Sequence, residues 1–164
     1  MNALSTPVPL RPDHEFAHFD CGVPALDDWL KNRALKNESR FSRTFVAGKD
    51  ARVIAYYSIA VGAIERGVAP GALRRNAPDP IPVAIIGRLA VDRDFKGQGL
   101  GSWLLRDAVR RIVLVAQTIG IAAVLVRAKN NEARQFYLAC AEFIEFPRDS
   151  RTLFLPIGMA AKLI

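Results

Sequence analysis

Residues Val83 to Val91 form an almost unbroken apolar run. Three alternating glycines, Gly97, Gly99 and Gly101, separate it from a long helical pattern that starts near Ser102. β-Branched residues in the run predict a strand, and its apolar continuity suits one buried on both faces. A strand, a glycine-rich turn and a helix, in that order, make a phosphate-binding layout. Glycine lets the backbone approach an anion closely, and a helix N-terminus offers unpaired N–H groups at the positive end of its dipole. Plain tight connections use the same residues, so the turn alone leaves both readings open.

The spacing removes two of the usual phosphate sites. A P-loop needs Gly-Lys-Ser/Thr after four spacer residues, and this turn lacks it. A dinucleotide fingerprint needs Gly-x-Gly-x-x-Gly early in a βαβ unit, but the sixth position counted from Gly97 is Ser102 and the turn lies past mid-chain. Lys96-Gly97-Gln98-Gly99-Leu100-Gly101 fits x-x-x-Gly-x-Gly instead. It resembles the acyl-CoA signature of the GNAT acetyltransferases, written Arg/Gln-x-x-Gly-x-Gly/Ala. Lys96 stands at the Arg/Gln place, a departure that keeps a hydrogen-bond donor and a positive charge.

At 164 residues the chain has the size of one domain, residues 1–164, and 51% apolar residues predict a packed core. Lys and Arg total 23 against 16 Asp and Glu, a net charge of +7. That balance favours a polyanionic partner such as CoA, nucleic acid or an acidic protein; a basic surface that binds nothing is the other reading. Two cysteines, Cys21 and Cys140, argue against a disulfide framework and suit a reducing cytosol. Met1 to Pro12 has three prolines and no apolar core, so no signal peptide is expected. The apolar run Ile112 to Val126 is broken by Gln117, Thr118 and Gly120 and is too short to span a membrane. A cytoplasmic protein is the expectation.

In chain order, Val8 to Leu10 predicts a short edge strand, since Pro7, Pro9 and Pro12 forbid a central one. His14-Glu15-Phe16-Ala17-His18 matches the zinc-protease pattern, in which two imidazoles one helical turn apart hold the metal. No third histidine exists, and Phe19-Asp20-Cys21-Gly22 ends any helix at once, so no metal site is expected. Pro24 to Asn37 predicts a helix with Leu26, Trp29, Leu30 and Ala34 inward. Lys31, Arg33 and Lys36 lie on its other face, a solvated surface or part of an RNA-binding one. Thr44 to Gly48 and Val53 to Ala63 predict a hairpin. Glu65 to Pro82, with four prolines, predicts a long loop on the substrate side, where Arg74 and Arg75 are available to phosphate.

After the glycine turn, Leu104, Leu105, Ala108, Val109, Ile112, Val115, Ala116 and Ile119 repeat at helical spacing up to Gly120. Ala122 to Val126 predicts the next strand, parallel to the first through a right-handed crossover. Asn130 or Asn131 caps a short helix, Glu132 to Cys140, with Ala133, Phe136, Tyr137 and Cys140 as its apolar stripe. From the pattern alone Tyr137 reads as core. Phe143 to Phe146 and Thr152 to Leu155 predict closing strands.

This order of elements resembles the whole GNAT fold: α/β (α+β), with a mixed central sheet of six to seven strands and about four helices. Several stretches resemble more narrowly the tRNA-acetylating, TacT-like toxins of type II toxin–antitoxin systems. They are Phe19-Asp20-Cys21-Gly22 followed by Leu26-Asp27-Asp28-Trp29-Leu30, Ser42-Arg43-Thr44-Phe45-Val46, Gly87-Arg88-Leu89-Ala90-Val91-Asp92 and Arg151-Thr152-Leu153-Phe154-Leu155. The resemblance implies an acetyl-CoA site and an acetyl transfer to an amine. It places the backbone N–H groups of Gln98, Gly99, Leu100, Gly101 and Ser102 on the pyrophosphate, with Lys96, Gly97 and Asn130 also in the cofactor site. The exposed backbone of Leu89, Ala90 and Val91 would serve the pantetheine. Tyr137 would be the acid for the leaving thiolate, a role open to a phenol with a pKa near 10. It further implies aminoacyl-tRNA as acceptor, contacted by Lys31, Arg33, Lys36, Arg74 and Arg75, a small ribbon-helix-helix antitoxin as partner, and a homodimer. A GNAT enzyme acting on a protein or small-molecule amine is the alternative within the class. A non-catalytic RNA-binding module and a zinc hydrolase are the alternatives outside it.

Overall fold

The computed structural model describes residues 4–38 and 40–164. The first three residues of the N-terminal segment lie outside them. The elements are β1 (Val8–Pro9), α1 (Pro24–Asn32), α2 (Ala34–Asn37), β2 (Arg43–Lys49), β3 (Arg52–Ile64), α3 (Gly71–Arg74), β4 (Ile81–Val91), α4 (Leu100–Val115), β5 (Ala123–Arg127), α5 (Asn131–Cys140), β6 (Ile144–Phe146), β7 (Asp149–Pro156) and α6 (Ile157–Ala160). The strands form one mixed sheet in the order β1-β2-β3-β4-β5-β7-β6. Among the described residues six helices stand, three of them long and three, α2, α3 and α6, single turns of four residues, in keeping with the expected fold. The chain clusters into two compact units, Met1–Ala60 with Gly87–Asp107 and Val61–Ile86 with Ala108–Ile164.

In the first unit β1 and β3 each pair antiparallel with β2. The β2 register shifts between Ala47 and Gly48, where a Cβ on Gly48 would lie 1.8 Å from the Arg52 carbonyl oxygen, so only glycine fits. The core gathers Phe19, Trp29, Leu30, Val46, Val53 and Tyr56. Trp29 stacks on Tyr56 at 6.0 Å and Phe19 meets it edge-on at 5.5 Å. The helix expected over Pro24 to Asn37 breaks at Arg33, which leaves helical geometry at φ −125°, ψ −30° while its N–H closes α1 on the Trp29 carbonyl. The chain restarts at once as α2, whose Ala34 is buried.

In the second unit β5 runs parallel to β4 over Val83–Ile86 and antiparallel to β7, which carries β6 on its far side. Ile81, Val83, Ala123, Leu125, Phe146 and Phe154 form its core. The closing strand expected from Thr152 begins earlier, since Asp149, Ser150 and Arg151 already belong to β7. The segment expected as an unbroken loop from Glu65 to Pro82 holds a 3-10 turn (Arg66–Val68) and α3, with Leu73 buried. α4 ends at Val115, short of Gly120; beyond it the N–H groups of Gln117 and Thr118 bond three residues back. Val115 and Ile119, expected on the buried stripe, are exposed, and the stripe closes at Ile112.

Candidate active site

The approach to the glycine turn is a short 3-10 turn, Arg93–Phe95, capped by Asp92, whose carboxylate accepts the Asp94 N–H. Gly97 and Gly99 follow at φ +81° and +78°. A Cβ at either would meet no atom of the described residues within 4 Å. Glycine is therefore required by conformation and not by crowding, a left-handed geometry that costs other residues about 1–2 kcal/mol each. The Gly99 carbonyl accepts the Trp103 N–H at 3.1 Å, which is the first helical bond of α4. The N–H groups of Leu100, Gly101 and Ser102 stand ahead of that bond, in the first turn where a helix leaves its donors unpaired. Gly97, Gln98, Gly99 and Ser102 are exposed, and Leu100 and Gly101 half-buried. An anion thus has access to a set of backbone donors at the positive end of a sixteen-residue helix. Upstream on β4, Leu89 is half-buried while Ala90 and Val91 are buried. Lys96, at the head of the signature, points elsewhere: its ammonium donates to the Cys21 carbonyl at 2.7 Å.

α5 positions Tyr137. Asn130 caps the helix, its Oδ1 accepting the Ala133 N–H at 2.8 Å, so one side-chain atom of this expected cofactor residue is taken up by the cap. Tyr137 is 8% exposed and lies edge-on to Phe136 at 5.3 Å and to Phe143 at 5.7 Å. Burial, with Cys140 adding, pushes its phenol up to about 12. The other two tyrosines spend their hydroxyls on structure: Tyr56 donates to the Leu26 carbonyl at 2.7 Å and Tyr57 to the Asp107 carboxylate. Among the described residues none accepts a hydrogen bond from the Tyr137 hydroxyl. The group is protonated at neutral pH and unspent.

The basic residues expected at an RNA surface are exposed: Lys31 and Arg33 at the end of α1, Lys36 on α2, Arg74 and Arg75 at the end of α3. The Arg74 carbonyl accepts from the Arg66 guanidinium, which keeps that turn in place. Two features were not read from the sequence. Arg88 lies over the Trp29 ring at 4.0 Å, and burial draws its pKa down. Lys49 and Arg52 flank the Phe95 ring at 5.4 and 5.7 Å. Each partner is far off in sequence, so no local pattern signals it. His14 to His18 is not helical: Glu15 pairs with Arg52 and the Arg11 N–H donates to His14 Nδ1, so the two imidazoles are not one helical turn apart. Among the described residues no group of three or more His, Cys, Asp or Glu is placed to hold a metal, and no helix is long and apolar enough to cross a membrane.

The family model for the acetyltransferase (GNAT) domain matches residues 40–140. A tRNA-acetylating toxin of Mycobacterium tuberculosis (strain ATCC 25618 / H37Rv) is 44% identical over 165 residues, covering 100% of this chain and 99% of that protein. Among solved structures, AtaT complexed with acetyl-methionyl-tRNAfMet matches with a TM-score of 0.88 at 27% identity, over 98% of this chain and 99% of that one. A Tyr→Phe variant of the AtaT toxin, bound to the C-terminus of the antitoxin AtaR and acetyl-CoA, matches with a TM-score of 0.83 at 27% identity, over 98% and 97% of the two chains.

Proposed function

Because this chain belongs to the GNAT acetyltransferases, we propose that it is the toxin of a type II toxin–antitoxin system, an enzyme that acetylates the α-amine of aminoacyl-tRNA. A relative of 44% identity over the full chain is a tRNA-acetylating toxin, and AtaT, a structural neighbour, was solved with acetyl-methionyl-tRNAfMet. The single observation on this chain that carries the chemistry is the Tyr137 hydroxyl, protonated and unspent while Tyr56 and Tyr57 are tied down.

The residues divide the work. The N–H groups from Gln98 to Ser102 bind the pyrophosphate of acetyl-CoA, and the backbone of Leu89 to Val91 lies along the pantetheine. The amine nitrogen attacks the thioester carbonyl carbon, the new C–N bond forms, and the C–S bond breaks. Tyr137 gives its proton to the departing sulfur. The amine of an aminoacyl ester is less basic than lysine because the ester withdraws electrons, so water suffices to take up its proton. Lys31, Arg33, Lys36, Arg74 and Arg75 hold tRNA phosphates as point charges. Blocking the α-amine stops the amino acid from accepting a peptide, and translation stalls.

On this reading one catalytic domain, residues 1–164, works in the cytoplasm as a homodimer, and a small ribbon-helix-helix antitoxin holds it in check. The binding of AtaT to the C-terminus of its antitoxin supports a protein partner of that kind. The test follows labelled acetyl from acetyl-CoA. Label is expected on charged tRNA and not on uncharged tRNA. Label appearing on a peptide or polyamine, with charged tRNA left bare, overturns the assignment in favour of a protein or small-molecule amine.

A further inference from the structure

Phe19-Asp20-Cys21-Gly22 has no task in that chemistry, yet the chain ties it to the approach of the glycine turn. Asp92 is 2% exposed, and its carboxylate accepts the Asp20 N–H at 3.2 Å on one oxygen and the Asp94 N–H at 3.0 Å on the other. The Asp92 N–H donates to the Ile54 carbonyl, and the Arg93 N–H to the Asp20 carbonyl, each at 2.8 Å. The Lys96 ammonium donates to the Cys21 carbonyl at 2.7 Å. The turn itself is fixed by the Asp20 carboxylate, which accepts the Gly22 N–H at 3.0 Å, and by the Cys21 N–H on Asp27 at 2.9 Å. Gly22, at φ +90°, sits where a Cβ would come 3.7 Å from the Arg93 guanidinium and 3.9 Å from the Lys96 ammonium.

These bonds are unequal. The Arg93–Asp20 ion pair is more than half exposed on both sides and contributes little. The Asp92 carboxylate is buried, and a charge-assisted bond there is roughly twice as strong as a neutral one. What it steadies is a segment that cannot steady itself, because Gly97 and Gly99 lose more conformational freedom on ordering than any other residue would. A cradle of backbone donors works when its geometry exists before the anion arrives.

We infer that the Asp20-Cys21-Gly22 turn, acting through Asp92 and Lys96, is the positioning device of the pyrophosphate cradle, and that Lys96 serves as its latch and not as a phosphate ligand. The inference rests on the reading of the glycine turn as an acetyl-CoA site. It makes Asp92, Lys96 and Gly22 positioning residues.

The experiment measures KM for acetyl-CoA and kcat with charged tRNA. Variants are Asp92→Asn, Gly22→Ala, Lys96→Met, Lys96→Arg and the double variant Asp92→Asn with Lys96→Met. Asp92→Asn should raise KM roughly tenfold and leave kcat at saturation within about twofold, a split that general loss of folded protein does not produce. Lys96→Met should do the same, and Lys96→Arg, which keeps a donor, should restore most of the affinity. The double variant should be no worse than its weaker parent, because both changes release one brace. If Asp92→Asn fails to fold, Gly22→Ala carries the test from an exposed position. Unchanged KM in the variants that fold, or Asp92 and Lys96 effects that multiply, overturns the brace. Wild-type protein that binds no acetyl-CoA in calorimetry overturns the cofactor reading instead.

Discussion

At the glycine turn the proposed anion-binding groups are backbone N–H donors on exposed and half-buried residues, and the inferred brace of their approach is a buried carboxylate, Asp92. On α5 the proposed acid is one side-chain hydroxyl on a residue 8% exposed, whose ring meets Phe136 and Phe143 edge-on. The first region is built from conformation: Gly97 and Gly99 matter through φ, and no described atom crowds the space a side chain would fill there. The second is built from packing, which fixes the ring and raises the phenol to about 12. On the proposed function, binding and chemistry are thereby carried by different physical means, and different substitutions should reach each.

Gly99→Glu should have the largest effect. It forces a non-glycine residue to φ +78° and sets a negative charge against the pyrophosphate, so acetyl transfer should fall below detection with the fold intact by circular dichroism. Near-normal transfer would mean that the turn is a plain connection. Tyr137→Phe comes next. It removes a hydroxyl that no described residue accepts from, so stability should change little, while kcat should fall roughly 10²- to 10⁴-fold. Wild-type turnover would make Tyr137 a core residue only. The raised pKa also sets a pH dependence. Folding favours the neutral phenol, so this contribution to stability is fully present below about 10 and is lost as pH rises through about 12. The phenol itself stays protonated throughout the neutral range.

Smaller still, reversing Arg74 and Arg75 to Glu should leave the KM for acetyl-CoA unchanged, weaken charged-tRNA binding and lower its salt slope by about one per lost phosphate contact. Unchanged tRNA affinity in a filter-binding titration would remove both residues from the RNA surface. This variant sharpens the contrast, because it belongs to neither region and acts on a third quantity.

The sequence displayed what depends on neighbours along the chain. The apolar run of β4, the glycine turn, the long helix after it and the Asn130 cap all follow from local pattern, and each is present at or within a few residues of its expected place. Tyr137 was legible as a residue of an apolar stripe, but that no described residue accepts from its hydroxyl was not, since that depends on what the fold brings round the ring. The break at Arg33 and the early end of α4 were missed because helical spacing continues past both. Lys96 was legible as a donor at the head of a signature. That its partner is the Cys21 carbonyl, 75 residues away, could not be read from spacing. Arg88 on Trp29 escaped for the same reason.

The division of labour is tested most directly by titrating acetyl-CoA into wild-type and Tyr137→Phe protein in a calorimeter, beside the transfer assay on charged tRNA. Dissociation constants equal within about twofold, with turnover reduced by at least about 10², are the predicted result. Affinity lost in step with rate would place the phenol in the cradle and contradict the separation of binding from chemistry.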